Sequence, residues 1–286
     1  MKPMRSEKEM FDLILSVAKE DPRIRAVVLN GSRSNPEAPR DQYQDYDIVY
    51  CVDDVAPFYN NPDWISEKFG PPLVMQMPEA ISPPGLEPDN NGSFVYLMLF
   101  DDGNRIDLTI DTQYTLHEDG DNDPAVALLD KCGCLPSLSN DSSCWHVSCP
   151  DEKLFLDCCN EFWWCLNNVA KGIARDERPY AMEMYNCHVR DMLNHMVSWY
   201  IGISTDFSVS SGKMGKYFKN HLPADIYAEY LATYSDSEPN HLWEAVFAGC
   251  ALFRKLALAV AKKLGFHYRL DEDENMNKYL RHVQNA

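Results

Sequence analysis

The segment LNGSRSNPEAPRDQYQDYDIVY, Leu29 to Tyr50, restricts the possible folds more than any other part of the chain. It leaves a short β-branched run, Ile24–Leu29, passes through a Gly-Ser pair, and enters a second apolar run, Tyr46–Val52. Two aspartates flank the entry. Side chains alternate across a strand, so Asp45 and Asp47 share one face and Tyr46 takes the other, with the aspartate Cα atoms about 6.5–7 Å apart. Two carboxylates on one face beside an apolar core repel each other unless positive charge sits between them. Hard divalent cations take such oxygen ligands. Two-metal phosphoryl-transfer sites hold ions about 3.5–4 Å apart, a span these carboxylates would bridge. Taken alone, the pair reads more readily as a solvated strand edge.

Its neighbours sharpen the reading. In RIDLTI, Ile106, Leu108 and Ile110 alternate with Arg105, Asp107 and Thr109. Asp107 therefore lies on the polar face of a strand whose other face is apolar. If that strand runs beside the Asp45/Asp47 strand, three carboxylates converge. Asp107 would then be a metal ligand, a general base for an attacking hydroxyl, or both. Gly31 lets backbone N–H groups approach a phosphate, and Ser32 adds a hydroxyl donor. No G-x-x-x-x-G-K-[ST] motif occurs, so this is not a P-loop. Arg33 and Arg40 can bring charge to a polyphosphate.

The remainder divides by texture. Ser6–Lys19 has helical spacing, with Met10, Leu13, Ile14, Val17 and Ala18 on one face and Ser6 as an N-cap. Phe94–Phe100 and Arg105–Ile110 are strands joined by DDGN, a hairpin signal. Residues 53–92 are rich in Pro, Asn and Asp, with a short helix near 62–69, and residues 111–150 are loop-rich and acidic. After Pro150, the stretches Asp151–Arg175, Pro179–Ile203 and Asn240–Leu264 read as long amphipathic helices, with shorter ones near 224–234 and 273–283. The expected class is α+β, with an α/β unit over residues 1–150 and a helical unit over 151–286.

The chain carries 44 acids against 26 bases, a net charge of −18. Residues 1–150 hold 26 of those acids and 11 of the bases. Such a surface repels nucleic acid, whose binding rests on Lys/Arg contacts to phosphate. It attracts a small cationic ligand or a divalent metal. Met1–Met10 contains no apolar leader, and the most apolar stretch, Cys250–Phe266, is broken by Arg254, Lys255, Lys262 and Lys263. The expectation is a cytoplasmic protein with no membrane span and with free thiols. Cys132, Cys134, Cys144 and Cys149 with His146 do not form the paired C-x2-C knuckles of a zinc site.

Two constellations in the helical half suit a substrate. Asp157, Glu161, Trp164 and Asn168, spaced 4, 3 and 4 apart, share one helix face. Carboxylates pair with ammonium or guanidinium groups and Trp offers a face to a cation, as a polycationic sugar requires. The plain alternative is a solvated face with one exposed Trp. SGKMGKYFK places Lys213, Lys216 and Lys219 around glycines, the tightest basic cluster in an acidic chain. It could meet phosphates, or simply begin a helix. His188 and His195 read as core-edge histidines, and DEDEN at 271–275 as a solvated helix start.

The order strand, Gly-Ser, spacer, D-x-D strand, then a strand with one polar-face Asp is the nucleotidyltransferase signature. GSRSNPEAPRDQYQDYDIVY resembles the aminoglycoside 6-adenylyltransferase (streptomycin-modifying) family. The resemblance continues through DGNRIDLTI, CCNEFWW, AKGIARDE and GKMGKYFK. The Cys-rich 132–149 segment departs from it. The resemblance implies a polymerase-beta-like N-terminal domain with a mixed sheet and a C-terminal helical bundle. It also implies transfer of AMP from Mg-ATP to a hydroxyl of a cationic aminoglycoside, conferring antibiotic resistance. Gly31 and Ser32 would hold the triphosphate, Asp45 and Asp47 would bind Mg2+, and Asp107 would be the third carboxylate. The family carries lysines at the positions of Lys213 and Lys216, which favours those two over Lys219. A lincosamide or protein hydroxyl as acceptor, or a non-catalytic nucleotide- or drug-binding module, remain the alternatives. Monomer and dimer are both open.

Overall fold

Ser6 opens the first helix, α1 (Glu7–Glu20), through a reciprocal capping box: Glu9 N–H donates to the Ser6 hydroxyl, and the Ser6 N–H donates to the Glu9 carboxylate. The apolar side of α1, Met10, Ile14, Val17 and Ala18, is buried. A computed structural model describes residues 2–80, 92–112 and 123–286 of the chain. The Pro-rich stretch after Ala80 and the acidic stretch 113–122 lie outside the described residues. The chain divides into two units, one ending at Cys144 and the other spanning Trp145–Ala286.

The first unit is a mixed sheet. Strand β1 (Ile24–Leu29) leads into a one-turn helix α2 (Gly31–Ser34), then β2 (Tyr46–Val52). Short helices α3 (Ala56–Tyr59) and α4 (Trp64–Phe69) follow, then β3 (Val74–Gln76), β4 (Ser93–Leu99), β5 (Arg105–Asp111) and β6 (Val126–Asp130). The order across the sheet is β3-β4-β5-β2-β1-β6. β2 and β5 run parallel, and the other four pairings are antiparallel. The expected β4–β5 hairpin is present, turning at Gly103 with φ +88°. β3 and β6 carry too little alternation to be read from sequence; β3 is fully exposed at the sheet edge.

The two faces differ. One packs Tyr46, Ile48, Tyr50, Tyr96, Ile106, Leu108 and Ile110 against α1 and α4, a thick aromatic core. Buried phenols find backbone partners there: Tyr50 donates to Ile14 O at 2.6 Å and Tyr96 to Phe58 O at 2.7 Å. The other face is thinner, with Ala26, Val28, Val49 and Cys51 covered partly by Leu135 and Leu138. Asp47 and Asp107 belong to this thinner face by strand alternation.

The second unit is helical: α5 (Glu152–Ala174), α6 (Arg178–Glu183), α7 (Arg190–Thr205), α8 (Phe218–His221), α9 (Ala224–Leu231), α10 (Pro239–Leu264) and α11 (Leu270–Gln284). The helix expected over 179–203 is interrupted by a π-helical turn, Met184–Val189. There the buried Tyr185 hydroxyl donates to Ala245 O at 2.9 Å. The following Arg190 donates to Thr233 Oγ1 and O at 2.9 and 2.7 Å and lies over the Tyr234 ring. The wider turn accommodates these tertiary demands, which helical periodicity does not encode.

The acidic start of α11 is not simply solvated. Asp273 is fully buried and bridged by Arg254, with Tyr268 Oη donating at 2.9 Å and Asn277 Nδ2 at 2.8 Å. His188 and His195 are both exposed rather than at the core edge. Among the described residues no helix is long and apolar enough to cross a membrane, and no two cysteines form a disulfide.

Because Asp273 satisfies three donors at once, removing it strands a guanidinium and a hydroxyl. Asp273→Ala is expected to destabilise the chain by about 3–5 kcal/mol, and Asp273→Asn by less. Urea unfolding followed by circular dichroism measures both.

Candidate active site

β2 and β5 pair in parallel with Asp47 directly opposite Asp107. Adjacent strands lie about 4.8 Å apart, so the two carboxylates stand side by side, and Asp45 immediately precedes β2 on the same face. The convergence expected from sequence is thus built by one parallel pairing. Burial pushes Asp47 up to about 6, reinforced by the negative charges of Asp107 and Asp45. Asp45 is also raised, first by burial.

Arg105 supplies the positive charge this cluster needs. Its guanidinium forks onto Asp107, Nε to Oδ1 at 2.7 Å and Nη2 to Oδ2 at 2.6 Å, and its Nη1 lies 3.5 Å from Asp45 Oδ2. Sequence reading left Arg105 without a role. Its signal was the i, i+2 spacing from Asp107, which puts both on one face. The three carboxylates do not gather into a tight cage: with Arg105 gripping Asp107, their oxygens are not all within 4.8 Å of one another. The donor set is nevertheless all carboxylate oxygen, as Mg2+ requires, and the raised Asp47 marks a group whose ionisation a bound cation would favour. The residues fit a divalent cation.

Gly31 sits at the C-terminal end of β1 with φ +68°. A Cβ built there would lie 1.9 Å from Asp47 Oδ2. Two constraints thus demand glycine, a left-handed backbone and the close approach of a carboxylate. The Asn30 N–H donates to Asp47 O at 2.9 Å, holding the turn to β2. Ser32 is half-buried in α2, its Oγ 3.2 Å from Gln44 Nε2. Gln44 had not been singled out; its side-chain Oε1 is buried without a hydrogen-bond partner.

Arg33 differs from the expectation. It is 7% exposed, donates through Nε to Asp45 O at 3.0 Å and through Nη2 to Gln44 O at 2.9 Å, and stacks over Tyr46 at 3.9 Å. A guanidinium so committed braces the approach to β2 and sets Asp45; it has no free edge for a phosphate. Arg40 is exposed, with Nη2 donating to Arg33 O at 2.9 Å.

In the helical unit, a cavity of about 740 Å³ opens between α5, α7 and the Gly212–Gly215 turn. Asp157 and Glu161 line it, joined by Asp191 from α7. Trp145, Trp199 and His195 add aromatic surface, and among the described residues no Lys or Arg lines it. Trp164 and Asn168 share the helix but do not line the cavity, and Trp164 is 65% exposed. Sequence spacing found two of the three acids. Asp191 was missed because it comes from another helix. Lys213, Lys216 and Lys219 are exposed. Lys213 sits in a 3-10 turn with Met214 at φ +56°, and Lys216 Nζ lies 5.0 Å from the Tyr217 ring. They do not form one helix start.

Comparison with known proteins follows the same lines. The profile of the family described as streptomycin adenylyltransferase matches residues 4–283. The chain is similar to an aminoglycoside 6-adenylyltransferase from Bacillus subtilis (strain 168), 40% identical over 284 residues, covering 96% of this chain and 97% of the other. It is similar to one from Campylobacter jejuni, 39% identical, covering 97% and 95%. A crystal structure of an aminoglycoside 6-adenyltransferase from Bacillus subtilis aligns over 99% of this chain and 100% of the other, at 35% identity and a TM-score of 0.49.

Two outcomes follow from the geometry. Gly31→Ala costs about 1–2 kcal/mol for the left-handed backbone alone and displaces Asp47, so thermal unfolding shifts down and any activity resting on Asp47 is lost. For pH, Asp47 ionises near 6 in the folded chain and near 3.9 unfolded. Its stabilising contribution is therefore fully present below about pH 4 and is lost as pH rises through 6, on the order of 3 kcal/mol. Urea midpoints across that range, in chelator, should fall in the parent protein and flatten in Asp47→Asn; equal slopes would refute the assignment.

Proposed function

The chain belongs to the streptomycin adenylyltransferase family, whose members are nucleotidyltransferases, and on that premise we propose that it moves AMP from Mg-ATP to a hydroxyl of a cationic aminoglycoside. Streptomycin, at its 6-position, is the first candidate, and resistance to the drug is the biological consequence. The observation that carries this reading is the in-register opposition of Asp47 and Asp107 beside the Gly31 turn.

A divalent cation held by Asp45, Asp47 and Asp107 would neutralise charge on the triphosphate. The chain's own residues do the rest. Gly31 leaves room for the Asp47 carboxylate, its turn is the proposed cradle for the triphosphate, and Ser32 offers a hydroxyl, oriented by Gln44. Arg40 and the exposed Lys213 and Lys216 are the proposed cationic partners of the triphosphate. The acceptor oxygen bonds to the α-phosphorus, the bond from that phosphorus to the α,β-bridging oxygen breaks, and pyrophosphate departs with that oxygen. The hydroxyl proton passes to Asp107. Each Asp107 oxygen accepts one hydrogen bond from Arg105, which leaves a further lone pair for the proton and makes Arg105 the residue that positions Asp107.

The drug is proposed to bind at the acidic cavity of the helical unit. Asp157, Glu161 and Asp191 match a polycation, and Trp145 and Trp199 offer ring faces. Lys153 pairs with Asp157 and is the internal cation that a drug's ammonium or guanidinium would displace.

Purified protein with Mg-ATP should release pyrophosphate only when the right aminoglycoside is added, and the drug's mass should rise by one adenylyl group. Asp47→Asn should lower kcat/KM by a factor on the order of 10³; full activity in that variant would sink the mechanism. Asp157→Asn and Glu161→Gln should each raise KM for the drug about tenfold, roughly 1.4 kcal/mol, and leave KM for ATP unchanged. Steady-state kinetics with each substrate varied separates the two.

A further inference from the structure

The thiol-rich segment after β6 holds a second constellation, at the other end of the sheet from the carboxylates. Asp130 ends β6 and pairs with Ala26, near the start of β1, whereas the Gly31 turn follows the strand's other end. About 13 Å of strand separates them at strand rise. The chain then loops back over the Asp130 carboxylate. Oδ1 accepts N–H bonds from Cys132, Gly133 and Cys134 at 3.1, 2.8 and 3.2 Å, and Oδ2 accepts one from Leu135 at 3.1 Å. Gly133 makes this curl possible, with φ +66°.

The curl has a chemical result. It points two thiols at one carboxylate: the ligand atoms of Asp130, Cys132 and Cys134 all lie within 4.8 Å of one another. Among the described residues this is the one such group of three. Both sulfurs are exposed, so an ion can reach them. The loop is also anchored. The Lys131 N–H donates to Arg25 O at 2.9 Å, and its ammonium is turned onto the carbonyls of Ala18 and Asp21 at the end of α1, at 2.5 and 3.0 Å. That cation is therefore spent away from the sulfurs. Arg25, paired with Asp53 at 2.6 Å, lies against the Cys132 sulfur.

We propose that Asp130, Cys132 and Cys134 form a metal site for a thiophilic d10 cation of the zinc class, independent of the nucleotidyltransferase site. Two sulfurs select against Mg2+ and Ca2+, which take oxygen ligands, and favour Zn2+ or Cd2+. Three protein ligands leave the fourth tetrahedral position to solvent. Each thiol releases its proton to solvent as it binds, so no oxidant or reductant enters. Sequence grouping missed the site because it sorted the segment by Cys and His alone. The third ligand is an aspartate, and Cys144, Cys149 and His146 are outside the cluster.

The test uses the full chain, reduced, stripped with chelator and exchanged into thiol-free buffer, then titrated with Cd2+. The expected result is one equivalent bound, with a thiolate-to-metal charge-transfer band and the loss of two titratable thiols. Cys132→Ser and Cys134→Ser should each abolish the band, and the triple variant Cys144→Ser/Cys149→Ser/Cys187→Ser should keep it. Asp130→Asn retains an oxygen for the loop N–H groups but loses the charge, and should bind at least about tenfold more weakly. Circular dichroism and the urea midpoint, measured in every variant, report folding independently of any activity. Absence of the band, or a band that survives in Cys132→Ser/Cys134→Ser, overturns the proposal. So does a band lost only in the triple variant.

Discussion

Like charge at short range is the constraint around which the first unit is arranged. Three aspartates are brought to one sheet face, two of them level with each other across a parallel pair. That is unfavourable in itself: Asp47 is raised first by its burial and then by the charges of Asp107 and Asp45. The surrounding residues are organised to tolerate it. Arg105 forks onto Asp107 and reaches Asp45; Arg33, buried, fixes the backbone from which Asp45 projects; Gly31 yields the space that Asp47 occupies. Each is a different answer to one electrostatic problem, and each would lose its reason if the carboxylates were removed.

The charge of the whole chain poses a complementary question. A protein at −18 must still accept a nucleotide triphosphate if it is to act as its family does. Net charge governs long-range attraction, which salt screens over about 8–10 Å, whereas binding is decided by nearby groups. The acidic excess suits the cationic acceptor, and the helical cavity concentrates it, with three carboxylates around aromatic walls. In the proposed reaction the nucleotide depends instead on a few local cations and on the counter-charge of a divalent metal.

Much of this was legible in the chain. The strict alternation of RIDLTI set Asp107 on the polar face, and Ser6 marked the first helix start. Whether β5 would lie beside β2 was not written in either strand, since register between distant segments is a tertiary fact. The arginines were misjudged for the same reason. Arg33 looked like a phosphate ligand because it follows Gly-Ser, yet the turn aims it inward at Tyr46 and two carbonyls. Arg105 looked unremarkable and proved central. Asp273 looked solvated because three other acidic residues adjoin it, and only the approach of Arg254 and Tyr268 reveals that it is buried. Sequence periodicity reports which face a side chain takes; it is silent on what meets it there.

The parallel pairing of β2 and β5 has one more implication. In a sheet, a slip of a single residue exchanges the two faces. Here it would carry Asp107 into the aromatic core and expel Ile106, Leu108 and Ile110, each fully buried, into water. Those three isoleucine and leucine side chains lie on the face opposite Asp107, yet they act as the ruler that keeps two acids level. The precision of the polar face is thus underwritten by greasy residues on the far side of the strand. Mutational tolerance at the carboxylates and at the hydrophobic ruler should therefore rise and fall together.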